Sequence, residues 1–168
     1  MDVPYISQEG AGARRYRNDC GPACIEMIRR YYGLEPLQVD QLSAASSLAR
    51  FDNGLTVLEL QSLAARFGLK MDFRADLTVD ILEMILDAGK PVICLINYSY
   101  IKARQNQADR FGHFVVATGY DDKNIIILDP DFWGSRTQEG NGLRVPRADF
   151  ALALSESPDA FTGLAGPA

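Results

Sequence analysis

What this chain lacks narrows what it can do. Its 168 residues include one histidine, His113, and three cysteines, Cys20, Cys24 and Cys94. The cysteines stand 4 and 70 residues apart, and neither spacing is a zinc-site pattern. No metal and no other cofactor is expected. Three cysteines, two of them a helical turn apart, do not form a disulfide framework, so a reducing, cytoplasmic setting is expected. No stretch approaches the roughly 18–20 unbroken apolar residues of a membrane span, which argues against membrane insertion. The basic-then-apolar pattern of a secretory signal is missing from the N-terminus. There is no phosphate loop and no dinucleotide fingerprint. Positive charge is not in excess either: 17 Lys and Arg face 22 Asp and Glu, a net charge of −5, which argues against nucleic acid as a partner. The cluster Arg14, Arg15, Arg17 reads as a solvated loop. The rest of the composition, 47% hydrophobic and 23% charged, is that of an ordinary globular domain with a core of its own. Oligomeric state is not legible.

What is present is organised around Asn18-Asp19-Cys20-Gly21-Pro22-Ala23-Cys24. Apolar side chains then fall at Cys24, Met27, Ile28, Tyr31 and Tyr32, the spacing of a helix with one buried face. Glu26, Arg29 and Arg30 take the other face. Pro22 suits only the first turn, and Gly33 suits a stop just past the end. Cys20 therefore sits at the helix N-terminus, where free N–H groups and the helix dipole favour a thiolate, the nucleophilic form of cysteine. The plainer reading, a buried core cysteine, suits Cys24 on the apolar face. For Cys20 the two readings stand about level on this motif.

Val3 to Gln8 reads as a short extended segment, followed by a loop holding Gly10 and Gly12. Helices are expected over 39–42, 57–67 (capped by Thr56 with Glu59 in a capping box) and 79–88 (capped by Thr78). A short strand is expected at 69–73. Pro91 to Ile96 is a continuous apolar run, the mark of a central strand buried on both faces, with Cys94 in its core. Residues 97–111 form a long polar loop, of a length that is often functional. Gly112–Tyr120 and Ile125–Leu128 then make an antiparallel hairpin turning at 121–124. Residues 143–145 add a strand and 147–154 a strand or helical turn. The tail from Ser155, rich in small residues and proline, is expected to be flexible. The pattern is α+β, a helical first half and a mostly antiparallel sheet in the second.

A thiol nucleophile needs a base, and the base needs a group that fixes its orientation. His113 is the one histidine available as base. Asp129, at the end of the paired strand, is the candidate orienting carboxylate, although an Asp-Pro strand terminator is the plainer reading. In an even hairpin turning at 121–124, residue 129 faces residue 116 and lies three positions from His113, about 10 Å along the ladder. A twist or bulge has to close that gap.

Val3-Pro-Tyr-Ile-Ser-Gln8, Asp19-Cys-Gly-Pro-Ala-Cys24 with its helix to Gly33, Gly112-His-Phe-Val-Val-Ala-Thr-Gly-Tyr120 and Asp129-Pro130 follow in one order. In that order they resemble the papain-like bacteriocin-processing (double-glycine) peptidase family, and most closely its stand-alone, transporter-free relatives. Asp52-Asn-Gly54 and Gly89-Lys-Pro91 resemble it too. The resemblance implies a papain-like cysteine proteinase fold over residues 1–154, with the nucleophile helix packed on a C-terminal antiparallel sheet and 155–168 as a tail. It implies a bacterial cysteine peptidase acting on a peptide or protein substrate through an acyl-enzyme intermediate. Cys20 becomes the nucleophile, His113 the base and Asp129 its partner, while Gln8 and the Cys20 backbone N–H serve as oxyanion donors. Two features depart from the family. Papain-like enzymes often carry the glutamine six residues before the cysteine, where this chain has Arg14, and Gln8 stands twelve before. The accompanying transporter is also absent, so a leader-peptide substrate is not implied. A catalytically silent peptide-binding module and an acyltransferase using the same thiol are the alternatives. Tyr98, Tyr100, Phe111, Phe132 and Trp133 are candidates for an aromatic rim around the cleft, or ordinary core and edge residues.

Overall fold

The computed structural model describes residues 1–9, 18–46, 54–108 and 111–167. The loop with Gly10 and Gly12, the Arg14–Arg17 cluster and Asp52-Asn53 lie outside them. The helices are α1 (Cys20–Tyr31), α2 (Val39–Ala45), α3 (Val57–Arg66), α4 (Val79–Asp87) and α5 (Arg147–Ser155). The strands are β1 (Asp72–Arg74), β2 (Val92–Ile96), β3 (His113–Tyr120), β4 (Asn124–Leu128), β5 (Asn141–Pro146) and β6 (Gly163–Ala165). Among the described residues the strands form one antiparallel sheet, ordered β1-β6-β2-β3-β4-β5. This is the papain-like α+β architecture, with α1 laid across β3. No helix among the described residues is long and apolar enough to cross a membrane.

Local chemistry accounts for most elements. Thr56 accepts from the Glu59 N–H while Glu59 accepts from the Thr56 N–H, a complete capping box at the start of α3. Thr78 caps α4 through the Ile81 N–H. Gly33, past the end of α1, has φ +72°, where a side chain is strained. Period-two alternation divides the sheet into two faces. Ile93, Leu95, Phe114, Val116 and Leu128 pack on one side with α1 and α3. Val92, Cys94, Val115, Ile125 and Ile127 pack on the other with Leu82 of α4 and Phe150 of α5. All five residues of β2 are buried, as its apolar run predicts.

Two expectations are corrected. The tail does not fray over 163–165. Strand β6 lies between β1 and β2, buried throughout. Its small residues are what the site requires: a Cβ on Gly163 would stand 2.5 Å from the Ile93 carbonyl oxygen and 2.7 Å from Leu77. The Gly166 N–H then donates to Pro91 O at 2.9 Å, and the Tyr32 hydroxyl to Pro167 O at 2.9 Å. The polar face of α1 is likewise largely off the surface. Residues 20–29 are all buried, and Glu26 and Arg29 are among them because the connector through Glu35 and Leu37 folds back over these two, while Arg30 is half-buried.

Candidate active site

Cys20 is the first residue of α1 and is among the residues that line a cleft of about 290 Å³. Leu55, Val57, Leu95, Phe114 and Pro158 supply apolar walls, and Asp159 an acidic edge. Asp19, just before the helix, does not cap it with its side chain. Its carboxylate accepts from Ser43 on α2 at 2.6 Å, and burial raises its pKa. Gly21 permits the packing, since a Cβ there would lie 2.8 Å from Leu60 of α3 and 3.3 Å from Phe114 of β3. Cys24 and Cys94 are fully buried, and burial pushes both thiols well up.

His113 opens β3 and is fully buried. Its Nε2 lies 2.8 Å from Oδ1 of Asp129, itself fully buried. A bulge between Ala117 and Gly119 shortens the predicted gap from three positions to two, and the two side chains span the rest. Below the bulge Gly119 pairs with Ile126, and above it Val116 pairs with Leu128, so the register moves by one residue. Extended by one position, it sets Asp129 opposite Val115, two residues from His113 and on the same face. Without the bulge Asp129 would face Val116 and the other side of the sheet.

The imidazole feels opposed influences. Burial alone disfavours its charged form. The charge and hydrogen bond of Asp129, with further contributions from the nearby Cys20 thiol, outweigh burial and push its pKa up to about 10. Cys20 thus interacts with the same ring that holds Asp129. Nδ1, the ring nitrogen Asp129 leaves over, is buried without a hydrogen bond of good geometry among the described residues. An apo site often shows such a loose approach.

Asp129 is held from every side. Oδ1 also accepts from the Asp131 N–H at 3.0 Å, and Oδ2 from the Tyr98 hydroxyl at 2.8 Å. Its carbonyl accepts from the Tyr5 hydroxyl at 2.9 Å, and its N–H donates to Gly140 O at 2.9 Å. Burial, then the charges of Asp129 and Asp131, push the Tyr5 hydroxyl pKa up. The segment through Gln8 runs along this loop. The Ser7 hydroxyl donates to Phe132 O at 2.7 Å, and the Gln8 N–H to Pro130 O at 2.9 Å, which buries Gln8. The structure thus brings Gln8, His113 and Asp129 to one end of the molecule, with Cys20 beside the imidazole.

Gly140 is a pressure point in this arrangement. A Cβ there would stand 2.3 Å from the Asp129 carbonyl oxygen and 2.5 Å from the Tyr5 hydroxyl. Gly140→Ala is expected to displace the Asp129 backbone at a stability cost of about 2 kcal/mol, the usual scale of overpacking. Urea unfolding checks it, and an unchanged midpoint would mean the loop yields freely.

Sequence reasoning missed the role of Tyr98 in this cluster. It marked Tyr98 as a possible rim residue on the long loop, but Tyr98 and Phe132 are fully buried and do not rim the cleft. Of the aromatic candidates, Phe111 is the exposed one, at 63%. The available signal was a place two residues past Ile96, the last residue of a fully buried strand, so that the period-two alternation of the strand still turns the side chain to the core.

The model of the Peptidase C39 family matches residues 13–141. No curated protein sequence is significantly similar to the chain. Among solved structures, a C39-like peptidase from Bacillus anthracis superposes with a TM-score of 0.73 at 17% identity, covering 99% of this chain and 95% of that one. A double glycine motif protease from an AMS/PCAT transporter, solved with its leader peptide, gives 0.65 at 21%, covering 99% and 93%. The peptidase domain of Streptococcus ComA, a bi-functional ABC transporter of a quorum-sensing pathway, gives 0.65 at 17%, covering 99% of each chain.

Proposed function

The chain belongs to the Peptidase C39 family, the bacteriocin-processing type of cysteine peptidase, and from that premise we propose that Cys20, His113 and Asp129 hydrolyse a peptide bond as nucleophile, proton carrier and orienting carboxylate. The observation that carries the reading is the buried His113–Asp129 pair at 2.8 Å, with the thiol of a helix N-terminus on the same imidazole. An imidazole whose pKa is pushed up to about 10 is protonated at neutral pH, which favours a thiolate–imidazolium pair over two neutral groups.

On this reading the Cys20 thiolate attacks the scissile carbonyl carbon and the carbonyl π pair moves to oxygen. The Cys20 backbone N–H and the Gln8 side-chain amide donate to that oxyanion. The C–N bond then breaks, and the leaving amine takes its proton from His113. This leaves a thioester on Cys20 and a neutral imidazole. His113 next takes a proton from water as the water oxygen adds to the thioester carbon. Collapse releases the carboxylic acid and restores the thiolate–imidazolium pair. The peptide lies in the apolar cleft at Cys20, where bulky side chains find walls to pack against. The working unit runs past residue 154, since β6 pairs with both β1 and β2 inside the sheet.

Alkylation tests this directly. Limiting iodoacetamide, read by intact mass and peptide mapping, is expected to modify Cys20 alone, with a rate that persists well below the ordinary thiol pKa of about 8.5. In His113→Ala that low-pH reactivity is expected to vanish. Equal, slow reaction of all three cysteines with an ordinary pH profile would overturn the reading.

A further inference from the structure

We propose that Tyr98 is a positioning residue of this peptidase, holding the Asp129 carboxylate and the His113 ring in one fixed relation. The proposal rests on the assignment of Cys20, His113 and Asp129 made above.

The two carboxylate oxygens of Asp129 are separately occupied. Oδ1 meets His113 Nε2 and the Asp131 N–H, while Oδ2 meets the Tyr98 hydroxyl. A carboxylate held at both oxygens cannot rotate about its Cβ–Cγ bond without losing a buried hydrogen bond, so its aim at the imidazole is maintained. The same tyrosine acts on the base itself. Its ring lies against the His113 ring, with centroids 4.0 Å apart and planes inclined by 37°. One side chain therefore limits the swing of the imidazole and covers the His113–Asp129 hydrogen bond. If Tyr98 served only to fill core volume, phenylalanine would suffice, and its hydroxyl would not need to end on the carboxylate that orients the base.

The backbone is built to hold Tyr98 there. It opens a short 3-10 turn, Tyr98–Tyr100, capped by the Asn97 side chain, which accepts from the Ser99 N–H at 3.1 Å. Asn97 is pinned to the end of α5: its N–H donates to Ala153 O at 2.8 Å and its side-chain amide to Glu156 O at 3.0 Å. The loop beyond is tied to the Asp129 segment again. Gln105 accepts from the Trp133 N–H at 2.8 Å, and Asn106 donates to Asp131 at 3.2 Å. The loop after β2 is thus a buttress for the carboxylate.

The single histidine makes the test specific, because histidine-selective 15N NMR reports His113 alone. Tyr98→Phe keeps the ring and removes the hydroxyl. A carboxylate with one donor fewer draws the imidazole proton harder, so the His113 titration midpoint is expected to rise, while kcat falls about tenfold and KM changes less than twofold. Tyr98→Met fills the core without ring or hydroxyl. It is expected to populate more than one His113 ring environment and to lose more kcat than Tyr98→Phe, and it carries the test if Tyr98→Phe does not fold. A folded Tyr98→Phe or Tyr98→Met variant whose His113 resonances and kcat match the wild type overturns the proposal. Absence of peptide hydrolysis and of low-pH Cys20 alkylation in the wild type overturns instead the parent assignment, while the NMR shift still reads the Tyr98–Asp129–His113 coupling independently.

Discussion

Asp129→Ala is expected to lower kcat/KM for peptide hydrolysis by about 10³- to 10⁴-fold, the scale seen when a histidine base loses the group that fixes its tautomer. The charge of Asp129 is what overcomes burial at His113. Without it, burial dominates, the imidazole is neutral at pH 7, and the thiolate loses its counterion. The variant is also expected to lose stability, since the Tyr98 hydroxyl and the Asp131 N–H each lose a buried hydrogen bond to the carboxylate. The pH dependence has a definite sign. A histidine whose pKa rises on folding from about 6.5 to about 10 contributes stability that is full below pH 6.5 and is lost as pH rises through 10. That alkaline loss should flatten in Asp129→Ala. Asp129→Asn separates orientation from charge. Asn can still accept from His113, so activity should fall less than with alanine, with the low-pH alkylation of Cys20 reduced. Steady-state kinetics on the three proteins checks this, and wild-type turnover in Asp129→Ala would remove Asp129 from the mechanism.

Glu26→Ala is expected to cost about 3–5 kcal/mol, the usual penalty for stranding one partner of a buried ion pair. The Glu26 side chain is fully buried and meets Arg29 at 3.1 Å, Arg30 at 2.8 Å and the Leu37 N–H at 2.7 Å. Arg29, nearly as buried, also donates to the Phe67 and Glu35 carbonyls, and Arg30 to Leu37 O. One carboxylate thus joins α1 to the connector that covers it, and its removal leaves a buried guanidinium without a counterion. At about 2–4 °C per kcal/mol for a domain of this size, the melting temperature should fall by about 10 °C. Glu26→Gln keeps an acceptor and should lose less. A melting temperature within 2 °C of wild type in Glu26→Ala would show that water reaches Arg29.

The cost of that network explains why α1 was only half legible. Its apolar stripe is a local, periodic signal and locates the helix to within a residue. The burial of its charged face depends on a connector that the stripe cannot report, because a paired and an unpaired glutamate look alike in sequence. The tail shows the same limit from the other direction. Gly163 and Ala165 read as loop composition, yet small residues are what a strand needs when Ile93 and Leu77 approach closely.

By itself the sequence determined most of the elements, β6 excepted, and the chemical candidates. Caps, stripes and apolar runs are local, and a chain with one histidine offers one imidazole for any thiol to use. Tertiary structure alone decided how the candidates meet. The bulge near Thr118 moves the β3–β4 register by one residue and turns Asp129 to the face of His113. The turn after β2 delivers the Tyr98 hydroxyl to the second carboxylate oxygen. Strand pairing has a period of two, so a single extra residue changes which side chains share a face, and no local signal in this chain records it.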